Sequence, residues 1–366
     1  MDIRPSALED MGLTRPIGSE FWRGKRVLVT GHTGFKGSWL TLWLHRLGAE
    51  VTGISLEPTT SPNLYSAAKV AQLCRSHLCD IRNASKLAEL VQAGEPEIVF
   101  HLAAQPLVRA SYREPRATFE TNVMGTVNVL DTLGGVDCIR VAIAVTTDKV
   151  YRNNNWSWPC RETDELGGRD PYSASKAACE IAVAGYRDAF LSDHGVAVAT
   201  ARAGNVIGGG DWSEDRLIPD AIRAWQAGVP MVVRRPEAIR SWQHVLEPLS
   251  GYLALAERLW ERPELAGAYN FGPNSSDSAT VREVVELARI AYGSGQMIYC
   301  DNSEGPHEAA CLALETSKAR LTLGIRPRLT LQQAINQTMA WYREQNEGAD
   351  APLLCRLEIA SYEALG

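Results

Sequence analysis

Residues 25–48 read KRVLVTGHTGFKGSWLTLWLHRLG, and this stretch decides the fold. A short β-branched run at 25–30 breaks into three glycines and then continues into an apolar segment typical of a helix. A second strand-like run, EVTGISL, follows at 50–56. Strand, glycine turn, helix and strand together predict a βαβ unit at the start of the chain.

The alternation of strands and helices continues for some 180 residues. Further strand-like runs occur at 97–102, 141–147 and 196–202, and helical stretches lie near 84–93, 116–134 and 172–194. Such alternation predicts an α/β fold with a Rossmann-type, doubly wound parallel sheet and helices on both faces. After GGGD at 208–211 the regular alternation ends, and a further strand-like run, AYNFG at 268–272, predicts that the chain returns to the sheet.

Composition narrows the class of protein. The chain has 366 residues, of which 45% are hydrophobic and 22% charged, with a net charge of −6. These values exclude a disordered or fibrous chain, and the negative charge disfavours nucleic acid or an anionic membrane as partner. No apolar run approaches the ~20 residues that span a bilayer, and the first twenty residues lack the apolar block of a secretory signal. We therefore expect a cytoplasmic protein that acts on a small molecule.

The eight cysteines are scattered along the chain. None forms a CxxC pair, and no histidine and cysteine cluster has the spacing of a zinc site. We expect reduced thiols and no metal site.

The glycine loop predicts a dinucleotide site. Gly31, Gly34 and Gly37 lie between a strand and a helix, where the backbone can approach a diphosphate and the helix N-terminus offers N–H donors. Phe35 belongs to the same loop, whereas His32 could either touch a cofactor phosphate or fill the turn. The alternative reading is a glycine turn that serves packing alone, but its βαβ context favours the cofactor.

An acidic residue predicts which dinucleotide is bound. Glu57 follows the second strand, where a carboxylate would bind the adenosine ribose and repel a 2′-phosphate. NAD is therefore preferred to NADP. Ser55 could serve the ribose instead, and Glu57 would then be a solvated acid of the turn.

Tyr172 and Lys176 predict chemistry at a hydroxyl group. The two residues are four apart at the start of a helical stretch and so lie on one helix face. A nearby ammonium favours the phenolate and lowers the tyrosine pKa, and a positively charged nicotinamide would act in the same direction. Such a tyrosine could remove the proton of a sugar hydroxyl while hydride leaves for NAD. An ordinary exposed Tyr/Lys pair is the alternative.

Several motifs in this order carry a family resemblance: TGHTGFKG at 30–37, Asp80-Ile81, HLAAQ at 101–105, Asn122, Thr147 and YSASK at 172–176. Together they resemble the extended short-chain dehydrogenase/reductase family that acts on nucleotide sugars, over nearly the whole chain from about residue 20. The resemblance implies a catalytic triad of Thr147, Tyr172 and Lys176. It also implies cofactor contacts at Asp80, Ile81, Ala103, Ala104, Gln105, Asn122, Thr146, Tyr172 and Lys176.

The resemblance also divides the chain. Residues 1–20 are expected to be a flexible leader, 21–204 with 242–272 the NAD-binding Rossmann domain, and 205–241 with 273–366 a smaller, interleaved lobe that binds the nucleotide sugar. Family members pair through helices like those near 116–134 and 172–194, which implies a homodimer or homotetramer.

Two residues after the triad threonine refine the resemblance. Sugar-nucleotide dehydratases carry an acid there, as Asp148 does, whereas epimerases have a small or neutral residue. Lys149 replaces the glutamate that is usual in thymidine- and guanosine-linked dehydratases. Together with RAGNVIGGGDW at 202–212 and WQHVLEPLSGY at 242–252, Lys149 makes the chain similar to the branch of the family that acts on CDP-glucose. Ser241, in place of an expected proline, departs locally from that branch, as does Pro159-Cys160-Arg161.

The substrate lobe is rich in arginine. Guanidinium groups of Arg202, Arg216 and Arg240 are predicted to clamp the substrate diphosphate, because arginine forms forked bonds with phosphates. Asn205 and His244 are expected to bind the same substrate. Surface solvation is the alternative for any arginine here, and it is the expectation for Arg234 and Arg235.

The triad together with Asp148 and Lys149 predicts the elimination of water from the sugar. Tyr172 would take the O4 proton with Thr147 and Lys176 assisting, Lys149 would remove the C5 proton, and Asp148 would protonate the departing C6 hydroxyl. The alternatives are a 4-epimerase of the same family, or a catalytically idle NAD-binding scaffold.

Overall fold

The computed structural model describes residues 18–152, 158–274, 278–300 and 311–365. Its strands are β1 (Arg26–Thr30), β2 (Glu50–Ser55), β3 (Arg75–Leu78), β4 (Ile98–His101), β5 (Val141–Val145), β6 (Ala197–Ala203), β7 (Asn205–Ile207), β8 (Met231–Val233), β9 (Ile239–Arg240), β10 (Trp242–His244), β11 (Gly267–Phe271), β12 (Ala279–Thr280), β13 (Met297–Tyr299) and β14 (Cys311–Leu312).

The α-helices lie between these strands and at the C-terminal end. They are α1 (Ser19–Trp22), α2 (Phe35–Arg46), α3 (Leu64–Ala67), α4 (Ala84–Gly94), α5 (Val108–Arg113), α6 (Pro115–Phe119), α7 (Gly125–Leu133), α8 (Pro171–Tyr186), α9 (Leu217–Gln226), α10 (Leu246–Glu261), α11 (Val281–Tyr292), α12 (Ser317–Leu323), α13 (Leu331–Asn346) and α14 (Ala351–Glu363).

Seven strands form one parallel sheet in the order β3-β2-β1-β4-β5-β6-β11. Every residue of β4, β5 and β6 is buried, as expected of strands covered by helices on both faces. Side chains alternate between two cores: Val27 and Val29 of β1 pack into one, and Leu28 packs into the other. The predicted doubly wound fold is confirmed.

The chain leaves the sheet after β6 and returns to it as β11, which pairs with β6 at the edge. The other strands form small sheets: β7 with β10, β8 with β13, and β9 between β12 and β14. The bounds of the two predicted lobes stay a prediction.

Two elements differ from the sequence prediction. Strand β3 was not predicted, because RSHL is polar and lies at the sheet edge, where only β2 pairs with it. The predicted helix near 116–134 is divided into α6 and α7 by a π-helical segment, Glu120–Met124, whose extra residue per turn carries Asn122 inward. Among the described residues, no helix is long and apolar enough to cross a membrane.

Candidate active site

A cleft of about 590 Å³ opens at the carboxyl ends of β1, β2, β5 and β6. Ligands of doubly wound sheets bind at this edge, next to the point where the strand order reverses. Residues from the glycine loop, from the start of α8 and from the segments around β7 to β9 line the cleft together. The topology therefore brings the predicted cofactor and substrate residues to one place.

The glycine loop is shaped by close backbone contacts. Gly31 has φ +79°, and a Cβ there would lie 2.7 Å from the amide nitrogen of Ala103. A Cβ on Gly37 would lie 2.0 Å from the carbonyl oxygen of Gly31. Helix α2 begins at Phe35 without a side-chain cap on Gly34, so its first N–H groups are left for a ligand. The loop therefore fits a dinucleotide diphosphate.

The adjoining end of the cleft suits a ribose. Ser55 and Thr33 share a hydrogen bond of 2.7 Å between their hydroxyls, and the Thr33 hydroxyl also donates to the carbonyl oxygen of Leu56 at 2.8 Å. Glu57 is exposed and lines the cleft at the end of β2. Its carboxylate is available to a ligand hydroxyl at the place where the sequence predicts the adenosine ribose.

The predicted adenine contacts lie further along the same wall. Asp80 and Ile81 both line the cleft. The Asp80 carboxylate accepts hydrogen bonds from the Arg82 guanidinium, at 2.6 Å in the shortest, and these bonds hold the carboxyl pKa below its usual value. Asp80 is thus a fixed anion at this end, and Ile81 provides a buried apolar surface.

Helix α8 presents the predicted tyrosine and lysine. Asp170 caps its N-terminus by accepting the Ser173 N–H at 2.9 Å, and Pro171 is the first helical residue. Tyr172 and Lys176 are both buried and line the cleft. The ammonium of Lys176 donates to the carbonyl oxygen of Val145, at the end of β5, at 3.2 Å.

The acidity of Tyr172 differs from the sequence expectation. Burial raises its pKa to about 12, while the charge of Arg216 and a hydrogen bond with Thr147 act in the opposite direction. Burial also lowers the pKa of Lys176. A lowered tyrosine pKa is therefore not a property of the chain alone, and the added cation of an oxidised nicotinamide remains part of the prediction.

The Thr147-Asp148-Lys149 segment follows β5 and also lines the cleft. Thr147 donates to the Asp148 carboxylate at 3.0 Å, and Asp148 to Val150 form one short 3-10 turn. Burial raises the pKa of the Asp148 carboxyl and lowers that of the Lys149 amine. Both groups are therefore shifted towards the protonation states that a general acid and a general base need.

Most predicted site residues lie in this cleft. Those that line it are Gly31, Gly34, Phe35, Gly37, Glu57, Asp80, Ile81, Ala103, Ala104, Thr146, Thr147, Asp148, Lys149, Tyr172, Lys176, Asn205, Arg216 and Arg240. Five others lie outside the lining: His32, Gln105, Asn122, Arg202 and His244.

The two histidines are buried beneath the site. The His32 ring packs under β2, where its Nε2 lies 2.7 Å from the Ser76 hydroxyl, so this residue fills the turn. His244 Nε2 lies 3.6 Å from the carboxylate of Glu358 on α14. Neither ring is exposed, which places both out of reach of a ligand in the cleft.

Gln105, Asn122 and Arg202 support the walls from behind. Asn122 accepts the Gln105 N–H at 2.8 Å and donates to the Ser175 hydroxyl at 2.8 Å, which links the 103–107 loop to α8. Arg202 forms a buried ion pair with Glu180 instead of facing a phosphate. Asn205, at the start of β7, lines the cleft, whereas Arg202 does not.

Some cleft residues were missed. Arg234 and Arg235, expected to be solvated, line the cleft, and Arg234 also pairs with Asp215 at 3.2 Å. Arg109 and Lys36 line it as well. Lys36 was detectable, since it lies inside the glycine motif. Of the residues that the structure describes, no group of three or more His, Cys, Asp or Glu side chains could hold a metal ion.

Comparison with known proteins bears on this site. A family model described as GDP-mannose 4,6 dehydratase matches residues 28–338. A CDP-glucose 4,6-dehydratase of Salmonella typhimurium strain LT2 is 45% identical over 352 residues, which cover 94% of this chain and 98% of that protein. A UDP-glucose 4-epimerase of Oryza sativa subsp. japonica is 27% identical over 354 residues, covering 90% and 92%.

Solved structures share the fold. A UDP-glucose-4-epimerase from Stenotrophomonas maltophila with bound NAD superposes with a TM-score of 0.76 at 20% identity, covering 88% of this chain and 99% of that one. A dTDP-glucose 4,6-dehydratase from Bacillus anthracis str. Ames in complex with NAD gives 0.73 at 23% identity, covering 88% and 97%.

Proposed function

The chain belongs to the family described as GDP-mannose 4,6 dehydratase, and on that premise we propose that it is an NAD-dependent hydro-lyase that converts CDP-glucose into CDP-4-keto-6-deoxyglucose and water. One observation carries the proposal. Thr147, Asp148, Lys149, Tyr172 and Lys176 line a single cleft with the glycine loop. The similarity of nearly the whole chain to a CDP-glucose 4,6-dehydratase supports the choice of substrate.

The cofactor proposal rests on the loop geometry already described. NAD, when bound, would supply a hydride acceptor for C4 of the sugar and, once reduced, a hydride donor for C6. Gly31, Gly34, Phe35 and Gly37 would hold its diphosphate, and Glu57 its adenosine ribose. The contacts at Asp80, Ile81, Ala103, Ala104 and Thr146 stay proposals of the same kind.

Tyr172 is proposed to act first, as the base that removes the O4 proton. Thr147 lies within hydrogen-bond reach of Tyr172 and would orient the sugar hydroxyl between them. Lys176 would stabilise the resulting phenolate. The product of this step is a 4-ketone, which acidifies the hydrogen on C5.

Lys149 and Asp148 are proposed to carry out the elimination. The neutral Lys149 amine takes the C5 proton, the electron pair forms the C5–C6 double bond, and the C6–O bond breaks as Asp148 protonates the leaving hydroxyl. Water is released. The buried positions of both side chains favour the uncharged amine and the uncharged carboxyl that this step requires. The protonated Lys149 would then return a proton to C5, which completes the product once C6 has been reduced.

The substrate diphosphate needs cations, and the segments around β7 to β9 supply them. Arg216 and Arg240 line it beside Asn205. Forked, charge-assisted bonds from arginine suit a diphosphate.

We extend the proposal to a cytoplasmic protein that forms a homodimer or homotetramer. The exposed apolar side chains of Met124, Ile181 and Phe190, near α7 and α8, support the proposed assembly.

A product assay tests the proposal. The protein is incubated with CDP-, UDP-, dTDP- or GDP-linked hexoses, and the 4-keto product is followed by its alkaline absorbance and by the loss of one water in the mass spectrum. CDP-glucose is expected to be the preferred substrate. An epimerised sugar that retains its 6-hydroxyl would identify a 4-epimerase. Turnover of none of them would favour the scaffold alternative.

A further inference from the structure

Lys36 is a cation of the cleft with no role in the mechanism above. It is the second residue of α2, lies half-buried, and lines the cleft next to Phe35 and Gly37. Its ammonium forms no hydrogen bond or ion pair with any residue in the described parts of the chain. A lysine without a counterion in a concave site leaves its charge for a ligand.

Lys36 shares the cleft with four other charged side chains, since Asp148, Lys176, Asp211 and Arg216 also line it. Burial lowers its pKa to about 8, and the positive charges of Arg216 and Lys176 act in the same direction. Asp148 and Asp211 act in the opposite direction. The backbone of the glycine loop is proposed to hold the dinucleotide diphosphate, whereas the Lys36 side chain lines the cleft together with Asp148, Lys176 and Arg216.

Neither nearby carboxyl serves as a dedicated counterion. Burial raises the pKa of Asp148, which favours its neutral form. Asp211 accepts the Ser213 N–H at 3.0 Å and contributes to the turn after β7. Neither carboxyl group therefore neutralises the charge of Lys36, and an anionic ligand could do so.

Arg216 is a second cation of the cleft, and it comes from the segment before α9. It directly precedes α9, and its guanidinium donates to the Pro106 carbonyl oxygen at 3.4 Å. The charge of Arg216 lowers the pKa of Lys36, and two like charges in one cleft are unfavourable until an anion lies between them. The proposed function gives the dinucleotide diphosphate the N–H groups of the glycine loop, so the substrate diphosphate is the second anion that the cleft would hold.

We propose that Lys36, from α2, and Arg216, from the segment before α9, together bind the diphosphate of the nucleotide sugar. The glycine loop then serves two ligands: its backbone holds the dinucleotide, and its lysine side chain holds the substrate. This inference rests on the proposed function for the identity of the nucleotide sugar.

Titration with CDP tests the inference, because CDP carries the diphosphate and cannot react. In the NAD-loaded protein, Lys36→Met is expected to weaken CDP binding about tenfold, the loss of one charge-assisted contact. Lys36→Arg should keep the affinity within about threefold, since the charge remains. Lys86→Met, which removes an exposed lysine of α4, is the matched control and should bind CDP normally. A melting temperature measured for each variant confirms that it is folded.

The arms of the experiment separate the possible sources of the anion. If Lys36→Met weakens NAD binding and leaves CDP binding intact, Lys36 serves the dinucleotide and the inference is wrong. Unchanged affinities for both ligands also overturn it. If the wild-type protein prefers UDP or dTDP, and Lys36→Met weakens the binding of that nucleotide, the inference about Lys36 holds. The proposed preference for a cytidine nucleotide is then wrong.

Discussion

Arg202 and Glu180 form a buried ion pair whose Nη2 and Oε2 atoms lie 2.7 Å apart, with about 4% and 3% of the side chains exposed. The same carboxylate accepts the hydroxyls of Thr146 at 2.5 Å and Thr200 at 2.7 Å. Glu180 lies one helical turn beyond Lys176, and Thr146 precedes Thr147. The pair therefore fixes α8 against β5 and β6, and with them the spacing of Thr147, Tyr172 and Lys176, the proposed catalytic triad.

Loss of Arg202 should destabilise the fold. Arg202→Met leaves the Glu180 charge buried without its partner, and the free energy of unfolding should fall by about 3–5 kcal/mol in urea titrations. Arg262→Met, which breaks an exposed pair with Glu264, should cost roughly 0–1 kcal/mol. If Arg202→Met instead weakens CDP binding and leaves stability unchanged, Arg202 is the phosphate ligand that the sequence suggested.

Tyr172→Phe should abolish turnover and leave the cofactor site intact. The phenyl ring preserves the packing at the start of α8, but no hydroxyl remains to take the O4 proton. Loss of a general base costs about 10²–10⁴-fold in rate, so kcat should fall by at least that factor. NAD affinity by fluorescence titration should be unchanged. A variant with near-normal kcat would exclude Tyr172 as the base.

The central strands β1, β4, β5 and β6 were predictable, because they are largely apolar runs and such runs are typical of strands buried on both faces, whereas the polar edge strand β3 was not. The positions of Tyr172 and Lys176 were predictable for a local reason: the two residues are one helical turn apart, and the helix cap, Asp170-Pro171, is visible in the sequence.

The supporting residues were not predictable. An arginine next to a glycine-rich turn is typical of a phosphate ligand, and nothing near Arg202 in the chain shows that Glu180, on α8, pairs with it. The burial of His244 likewise depends on α14, more than a hundred residues later. Contacts between distant segments decide whether a polar side chain faces the ligand or the core.

Lys149→Met should block elimination while the first oxidation proceeds. The methionine side chain has a similar volume but cannot accept the C5 proton, whereas Thr147, Tyr172 and Lys176 are unchanged. After mixing with CDP-glucose we expect a lasting absorbance of reduced nicotinamide, no 4-keto-6-deoxy product, and little deuterium at C5 in heavy water.

Two other results would contradict this assignment. Loss of the reduced-nicotinamide signal would mean that Lys149 acts in binding or in the first oxidation. Product formation at close to the wild-type rate would mean that a different group or a water is the base. Lys149→Arg separates charge from proton transfer, since an arginine keeps the charge but does not lose its proton.

Glu57 should set the preference for NAD. Its exposed carboxylate lines the cleft after β2, where it would repel a 2′-phosphate. Glu57→Gln should tighten NADP binding by roughly 3–10-fold, the effect of removing one partly screened like charge. Glu50→Gln, an exposed acid at the start of the same strand, is the control. Equal affinities of the wild-type protein for both dinucleotides would exclude this role.

Glu358 should make stability fall as pH rises. Burial, together with the charge of Glu344, raises its pKa from 4.5 to about 8, so the folded state holds a proton that the unfolded chain releases. Its contribution is complete below pH 4.5 and is lost as pH rises towards 8. Burial lowers the pKa of the neighbouring His244 from 6.5 to about 3, which costs stability as pH falls below 6.5 and so opposes the trend only there.

The interval from pH 6.5 to 8 therefore isolates Glu358 from His244. There the wild-type protein should lose up to about 1.4 kcal/mol per pH unit relative to Glu358→Gln, the value for one proton. Urea unfolding at several pH values measures the difference, with Glu347→Gln at the exposed end of α13 as the control. Parallel stability curves for the wild type and Glu358→Gln across this interval would show that Glu358 is already ionised in the fold, with water reaching the carboxylate that lies 3.6 Å from His244.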